Sequence, residues 1–280
     1  IGLGIPAEPL FRSLSLVILI LVWGLAPFYW MLVTAFRNKS HTFDTTPWFT
    51  HVTTDNFVDA LATDKGNDFL GAIINSLIVG GATTLIALAV GVFTAYALAR
   101  LDFPGKGFVT GIILAASMFP GIALVTPLFQ LFGNLGWIGT YQALIIPNIS
   151  FVLPLTVYTL TSFFRDLPWE LEEAARVDGA TRGQAFRMVI LPLATPALFT
   201  TAILAFVATW NEFMLARQLS NTSTEPVTVA IARFTGPSAF EYPYAATMAA
   251  GALVTIPLVI MVLIFQKWIV SGLTAGGVKA

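Results

Sequence analysis

The chain has 280 residues, 56% of them hydrophobic and 10% charged, with a mean hydropathy of +0.81; soluble domains carry about 25% charged residues, so a soluble fold is excluded. A net charge of −1 leaves no basic footprint for nucleic acid, and the lack of cysteine removes disulfides, thiolate metal sites and thiol nucleophiles. The solvent for most of the surface is lipid, where a helical span takes roughly 20 mainly apolar residues and the length allows about six spans.

In chain order, apolar stretches predict an all-α integral membrane protein, a single transmembrane domain over 1–280 with spans near 14–36, 72–99, 108–132, 141–163, 198–216 and 248–270. A chain that opens on Ile1 is expected to be trimmed or short of its start. The first apolar run is too long for a cleaved signal segment, so it is expected to be a retained span. His41 and His51 lie in a polar loop after it; they read as solvated loop residues or, less simply, as a metal pair. The second span carries Thr83, Ala87, Gly91, Ala95 and Ala99, a small residue at every fourth position. Such a face lets helix backbones approach closely in lipid, although an alanine-rich span gives the same pattern by composition alone.

Pro120, Pro127, Pro147, Pro154 and Pro257 interrupt the later spans, which is tolerable where neighbouring helices satisfy the freed carbonyls. The segments 37–70 and 218–245 are long enough to touch a partner or to serve as plain connectors. Lysine and arginine set orientation, because cytoplasmic flanks keep an excess of them. With both termini inside, Arg12, Arg100, Lys106, Arg165, Arg176, Arg182, Arg187, Lys267 and Lys279 face the cytoplasm. Arg37, Lys39, Lys65, Arg217 and Arg233 then lie outside, diluted in the first outer loop by Asp44, Asp55, Asp59, Asp64 and Asp68.

The loop 164–192, between the fourth and fifth spans, has helix signals of its own. Asp166 stands near an N-cap, Pro168 in a first turn and Gly179 where a helix would end. Glu170, Glu172 and Glu173 sit at the positive end of the dipole, and Glu172 is spaced to pair with Arg176. A helix over 168–178 is only about 16 Å long, so it lies on the membrane face. Thr181 and Gln184 form a capping box for a second helix that ends towards Pro192. Together they make a rigid knuckle able to transmit force.

Glu212 is the one acid inside a predicted span, beside Asn211. Intramembrane ionisable groups usually face a cavity or partner, so Asn211 and Glu212 are the candidate pathway or gate residues; snorkelling to the nearby interface is the other reading of Glu212. Gly105-Lys106 lacks the rest of a phosphate-binding loop, and neither a zinc-protease nor a nucleophile-elbow pattern occurs. The chain is therefore expected to be a transport subunit and not an enzyme, with no cofactor of its own.

Glu173-Ala174-Ala175, Gly179 four residues after Ala175, and Leu191-Pro192 resemble the EAA motif of permease subunits of ABC importers. Asp178-Gly179-Ala180-Thr181, Gln184-Ala185-Phe186, Trp210-Asn211-Glu212-Phe213 and the tail Gly272-Leu273-Thr274-Ala275-Gly276-Gly277-Val278-Lys279 resemble the maltose-type (MalG-like) carbohydrate permeases in particular. Val189, where isoleucine is usual, and the terminal Ala280 are small departures. The resemblance implies import of a sugar such as trehalose or maltose across a prokaryotic plasma membrane. It implies four kinds of partner: a second homologous permease, two ATP-binding subunits carrying ATP and Mg, an extracytoplasmic solute-binding protein and the sugar. It further implies that Glu173 makes an ionic contact on the ATPase, that Ala174 and Ala175 form a flat packing surface, that Gly179 makes the turn, and that the tail 271–280 reaches between ATPase subunits. A secondary transporter or channel is the competing reading; such proteins usually bury several ionisable groups or repeat broken helices in two halves.

Overall fold

In the computed structural model of the chain, the backbone of residues 7–62, 68–234 and 243–275 and the side chains of 14–62, 68–234 and 243–267 are described. Thirteen α-helices follow in chain order among these residues: α1 (Ala7–Ala35), α2 (Asp55–Leu61), α3 (Phe69–Arg100), α4 (Lys106–Ser117), α5 (Val125–Asn134), α6 (Tyr141–Asp166), α7 (Glu170–Val177), α8 (Arg182–Ala185), α9 (Leu191–Leu193), α10 (Thr195–Trp210), α11 (Met214–Leu219), α12 (Val227–Ala232) and α13 (Tyr244–Ala275). A π-helical stretch, Phe186–Ile190, joins α8 to α9, and the one β feature among the described residues is an isolated bridge between Arg37 and Val52.

Four of the six expected spans are single long helices, at Leu14–Ala35, Phe69–Arg100, Tyr141–Asp166 and Tyr244–Lys267. The expected spans 108–132 and 198–216 fall on helices that are broken or bent. The first is a bent pair, Lys106–Ser117 with Gly121–Asn134, turning by 86°. Its break falls at Pro120, whose backbone is extended, and a residue before proline is itself biased out of the α region. The second is Thr195–Trp210, set at 70° to the preceding Arg182–Leu193. It ends at Trp210, short of the expected 216. Pro147 and Pro154, by contrast, lie within a continuous α6, and Pro257 within α13.

The chain divides into two compact units. One comprises Ile1–Phe69 and Arg233–Ile256. Only 6% of the α1 apolar window is buried, as a lipid-facing helix requires. After α1 the chain wraps around Arg37, which is 0% exposed. Its guanidinium donates to the carbonyls of Asp44 (2.5 Å), Thr46 (2.6 Å) and Trp48 (3.3 Å), using a donor set suited to gathering several acceptors. Asn56 closes the turn by donating to the carbonyls of Ala35 and Arg37. His41 and His51 stack with ring centroids 3.8 Å apart. No group of three or more metal-ligating side chains occurs among the described residues.

The other unit comprises Leu70–Ala232 and Pro257–Ala280. Its core joins α3, α6 and the segment after α8 through Val92, Ala95, Leu160, Phe164, Phe186 and Ile190. The small-residue face of α3 is a packing face, as expected: Thr83, Ala87, Gly91, Ala95 and Ala99 are all buried. At Gly91 a Cβ would come within 2.6 Å of Thr156 Cγ2 on α6, so glycine is what permits that approach.

Candidate functional site

The loop after α6 is built by local signals. α6 runs through Asp166, which corrects its expected N-cap role; the N-cap of α7 is Trp169. The carbonyl of Trp169 accepts from the amides of Glu172 (3.0 Å) and Glu173 (3.2 Å). At the other end Asp178 is the C-cap and Gly179 adopts φ +92°, a conformation glycine takes without steric penalty. The Ala180 amide then bonds the Ala175 carbonyl (3.0 Å) and the Gly179 amide bonds that of Arg176 (3.1 Å), the reciprocal closure of a Schellman motif. The Thr181–Gln184 capping box starts α8 as expected. The second helix is not uniform, since Phe186–Ile190 widens into a π turn.

Glu172 points inward. It is 7% exposed, and its Oε1 accepts from the Tyr96 hydroxyl of α3 at 2.9 Å. The expected pairing with Arg176 is replaced by this contact, because burying the inward side of α7 brings Glu172 against α3. One turn further along α3, Arg100 is 5% exposed. Its Nη2 donates to the Leu167 carbonyl at 2.6 Å, and its guanidinium lies 4.4 Å from the Trp169 ring centroid, within cation–π range. Phe186 packs on Tyr96 with ring centroids 4.5 Å apart and planes tilted by 50°. Tyr96, Arg100, Trp169 and Phe186 were not among the residues expected to matter. The signal for the first two was an arginine ending an otherwise uncharged helix, with a tyrosine one turn before it.

The opposite face of α7 is not covered by any of the described residues. Glu170, Glu173, Ala174 and Val177 are exposed and follow the i, i+3, i+4, i+7 spacing of one helix face. Val177 is 87% exposed. Ala175 is half-buried, and Asp178 and Gly179 are exposed at the joint. An acidic and apolar strip is thus held rigidly at the tip of the loop.

Asn211 and Glu212 lie in a break between α10 and α11, not inside a span. The Asn211 amide group bonds back to the Val207 carbonyl at 2.8 Å. The Glu212 carboxylate accepts from the amides of Leu215 (2.7 Å) and Ala216 (2.9 Å), taking up donors that a helix start leaves unpaired. Glu212 lines a cavity of about 270 Å³. Gly121 and Ile122, from the other break, line the same cavity, together with Asn148 and Thr156 of α6 and Thr201 of α10. Thr201 Oγ1 is buried and has no hydrogen-bond partner among the described residues. Two interruptions of regular helix therefore meet at one space, the arrangement in which irregular backbone is tolerated at membrane depth.

Residues 272–275 of the tail continue α13 in backbone; residues 276–280 lie outside the described residues.

Comparison with known proteins agrees with this architecture. Residues 87–275 match the family described as binding-protein-dependent transport system inner membrane component. The chain is 47% identical over 264 residues to the trehalose transport system permease protein SugB of Mycobacterium tuberculosis, covering 93% of this chain and 94% of that one. It is 43% identical over 264 residues to the trehalose/maltose transport system permease protein MalG of Thermococcus litoralis, covering 94% of each. Among solved structures, a chain of a bacterial ABC transporter involved in import of the acidic polysaccharide alginate superposes with a TM-score of 0.77 at 20% identity, covering 95% of this chain and 99% of that one; that likeness concerns the fold. With a matched segment covering most of its length and relatives this similar from end to end, the chain belongs to the family of inner membrane components of binding-protein-dependent transport systems and is a multi-pass membrane protein.

Proposed function

We propose that this chain is a permease subunit of an ATP-driven importer that moves a sugar, a disaccharide or oligosaccharide such as trehalose or maltose, received from an extracytoplasmic binding protein. It pairs with a second, homologous permease and stands on two ATP-binding subunits, which carry the ATP and Mg. The α7 side and both termini face the cytoplasm, in keeping with the lysine and arginine distribution. The observation that carries the reading is the exposed Glu170, Glu173, Ala174, Val177 face of α7. It is too short to cross a membrane, is closed at its C-terminal end by the turn at Gly179, and presents apolar and acidic groups with none of the described residues over them.

In this reading the face seats on the ATPase, with Glu173 meeting a basic group there, and closure of the ATPases pushes the loop and rocks the bundle. Sugar passes the cavity bounded by Glu212 and Thr201, where Asn148 and Thr156 supply further polar atoms. The names of the relatives, trehalose and trehalose/maltose systems, support the sugar class.

The test is uptake of labelled trehalose and maltose by vesicles holding the assembled complex. Uptake is expected only with ATP on the cytoplasmic side and binding protein on the other. Uptake of either sugar without ATP would favour a secondary transporter or channel.

A further inference from the structure

Helix α3 touches the loop at one end and the cavity wall along its middle. At its end, Tyr96 donates to Glu172, Arg100 holds the Leu167 carbonyl, and the Arg100 guanidinium covers Trp169. About 14 Å back along the helix, at about 1.5 Å per residue, Ala87 packs with Val152 of α6 and Ala205 of α10. Between these points, Gly91 bears on Thr156. Val152, Thr156 and Ala205 all line the cavity from its other side.

We propose that α3 is the lever that carries displacement of the loop to the cavity, and that Tyr96, Glu172 and Arg100 are positioning residues that fix the loop to it. The inference rests on the coupling reading of α7. Its physical basis is stiffness. Close-packed contacts without slack transmit displacement instead of absorbing it, and the Gly91–Thr156 approach has no room for even one added carbon. The latch is equally specific. Glu172 Oε2 has no hydrogen-bond partner among the described residues, so the Tyr96 hydroxyl is the contact that satisfies this buried carboxylate there, and removing one partner of such a pair costs more than the pair itself contributes. Arg100 Nε and Nη1 are also without hydrogen-bond partners among the described residues, where the Leu167 carbonyl and the Trp169 ring are its anchors.

The readout is sugar moved per ATP hydrolysed by the assembled complex, a ratio that lower protein yield does not change. Tyr96→Phe and Glu172→Ala are each expected to lower it about tenfold, the equivalent of about 1.4 kcal/mol. The double variant is expected to be no worse than either single one, because the two residues form one interaction. Glu172→Gln, which keeps an acceptor for Tyr96, is expected to restore most of the ratio. An unchanged ratio in Tyr96→Phe overturns the lever.

A second measurement applies even where Tyr96→Phe does not reach the membrane. The chain has no cysteine, so Phe93→Cys with Phe186→Cys, whose parent rings lie 5.9 Å apart, can be bridged by a short bismaleimide. If α3 and the loop move as one body, the bridged complex transports trehalose like the unbridged one; a block on bridging shows relative motion and overturns the lever. Glu173→Lys, run alongside, separates the two ideas. Coupled transport by Glu173→Lys removes the coupling reading itself, whereas its loss beside a normal Tyr96→Phe removes only the lever.

Discussion

The loop over α7 and α8 and the segment over α11 and α12 are both short helices strung between longer ones, but they are held in different ways. In the first, the joint between the helices is closed by its own neighbours: the Gly179 amide with the Arg176 carbonyl, the Ala180 amide with the Ala175 carbonyl, and Thr181 with Gln184. In the second, closure comes from far along the chain. Asn75 donates to the carbonyls of Ser223 and Glu225 and accepts from Tyr141. Ser76 accepts from the Val227 amide, and the Gly139 amide bonds the Leu219 carbonyl. A self-closed knuckle can be displaced as a unit and keep its shape. A segment stitched to the start of α3 and to α6 can move only with them.

Asn75→Ala is the strongest probe of that contrast. It strands two carbonyls and a tyrosine hydroxyl, which should cost about 3 kcal/mol. Thermal unfolding in detergent should fall accordingly, with loss of hydrogen-exchange protection over 221–232 and not over 170–185. Gly179→Ala should cost about 1–2 kcal/mol, the penalty for a side chain in the left-handed region, and should raise exchange only over 175–185. Thr181→Ala removes one cap and should cost about 1 kcal/mol, read as fraying of Arg182–Ala185. Spread of either effect to 214–232 would mean that the loop is not self-closed.

These differences also decide what could be read in advance. The ends of α7 and α8 were legible because caps act over three or four residues, and the packing face of α3 because its period is regular. The inward turn of Glu172 was not, since its partner lies 76 residues away. The sequence around Trp169 even suggested a start at Asp166, although α6 uses that residue to finish. The break at Asn211 contains neither proline nor glycine; its cause is a carboxylate that captures the next helix's amides, a competition that hydrophobic periodicity does not register. The break at Pro120 had a visible signal, but an apolar run on both sides of it reads as one span.

The position of Glu173 on the free side of α7, adjacent to a Glu172 turned wholly inward, gives the account its most direct test. Membranes carrying Glu173→Lys, expressed with the two ATP-binding subunits and the partner permease, should hold normal amounts of this chain, lose the ATP-binding subunits on purification and take up no trehalose. Retention of those subunits together with uptake at the parent rate would contradict the assignment of α7 as the coupling helix.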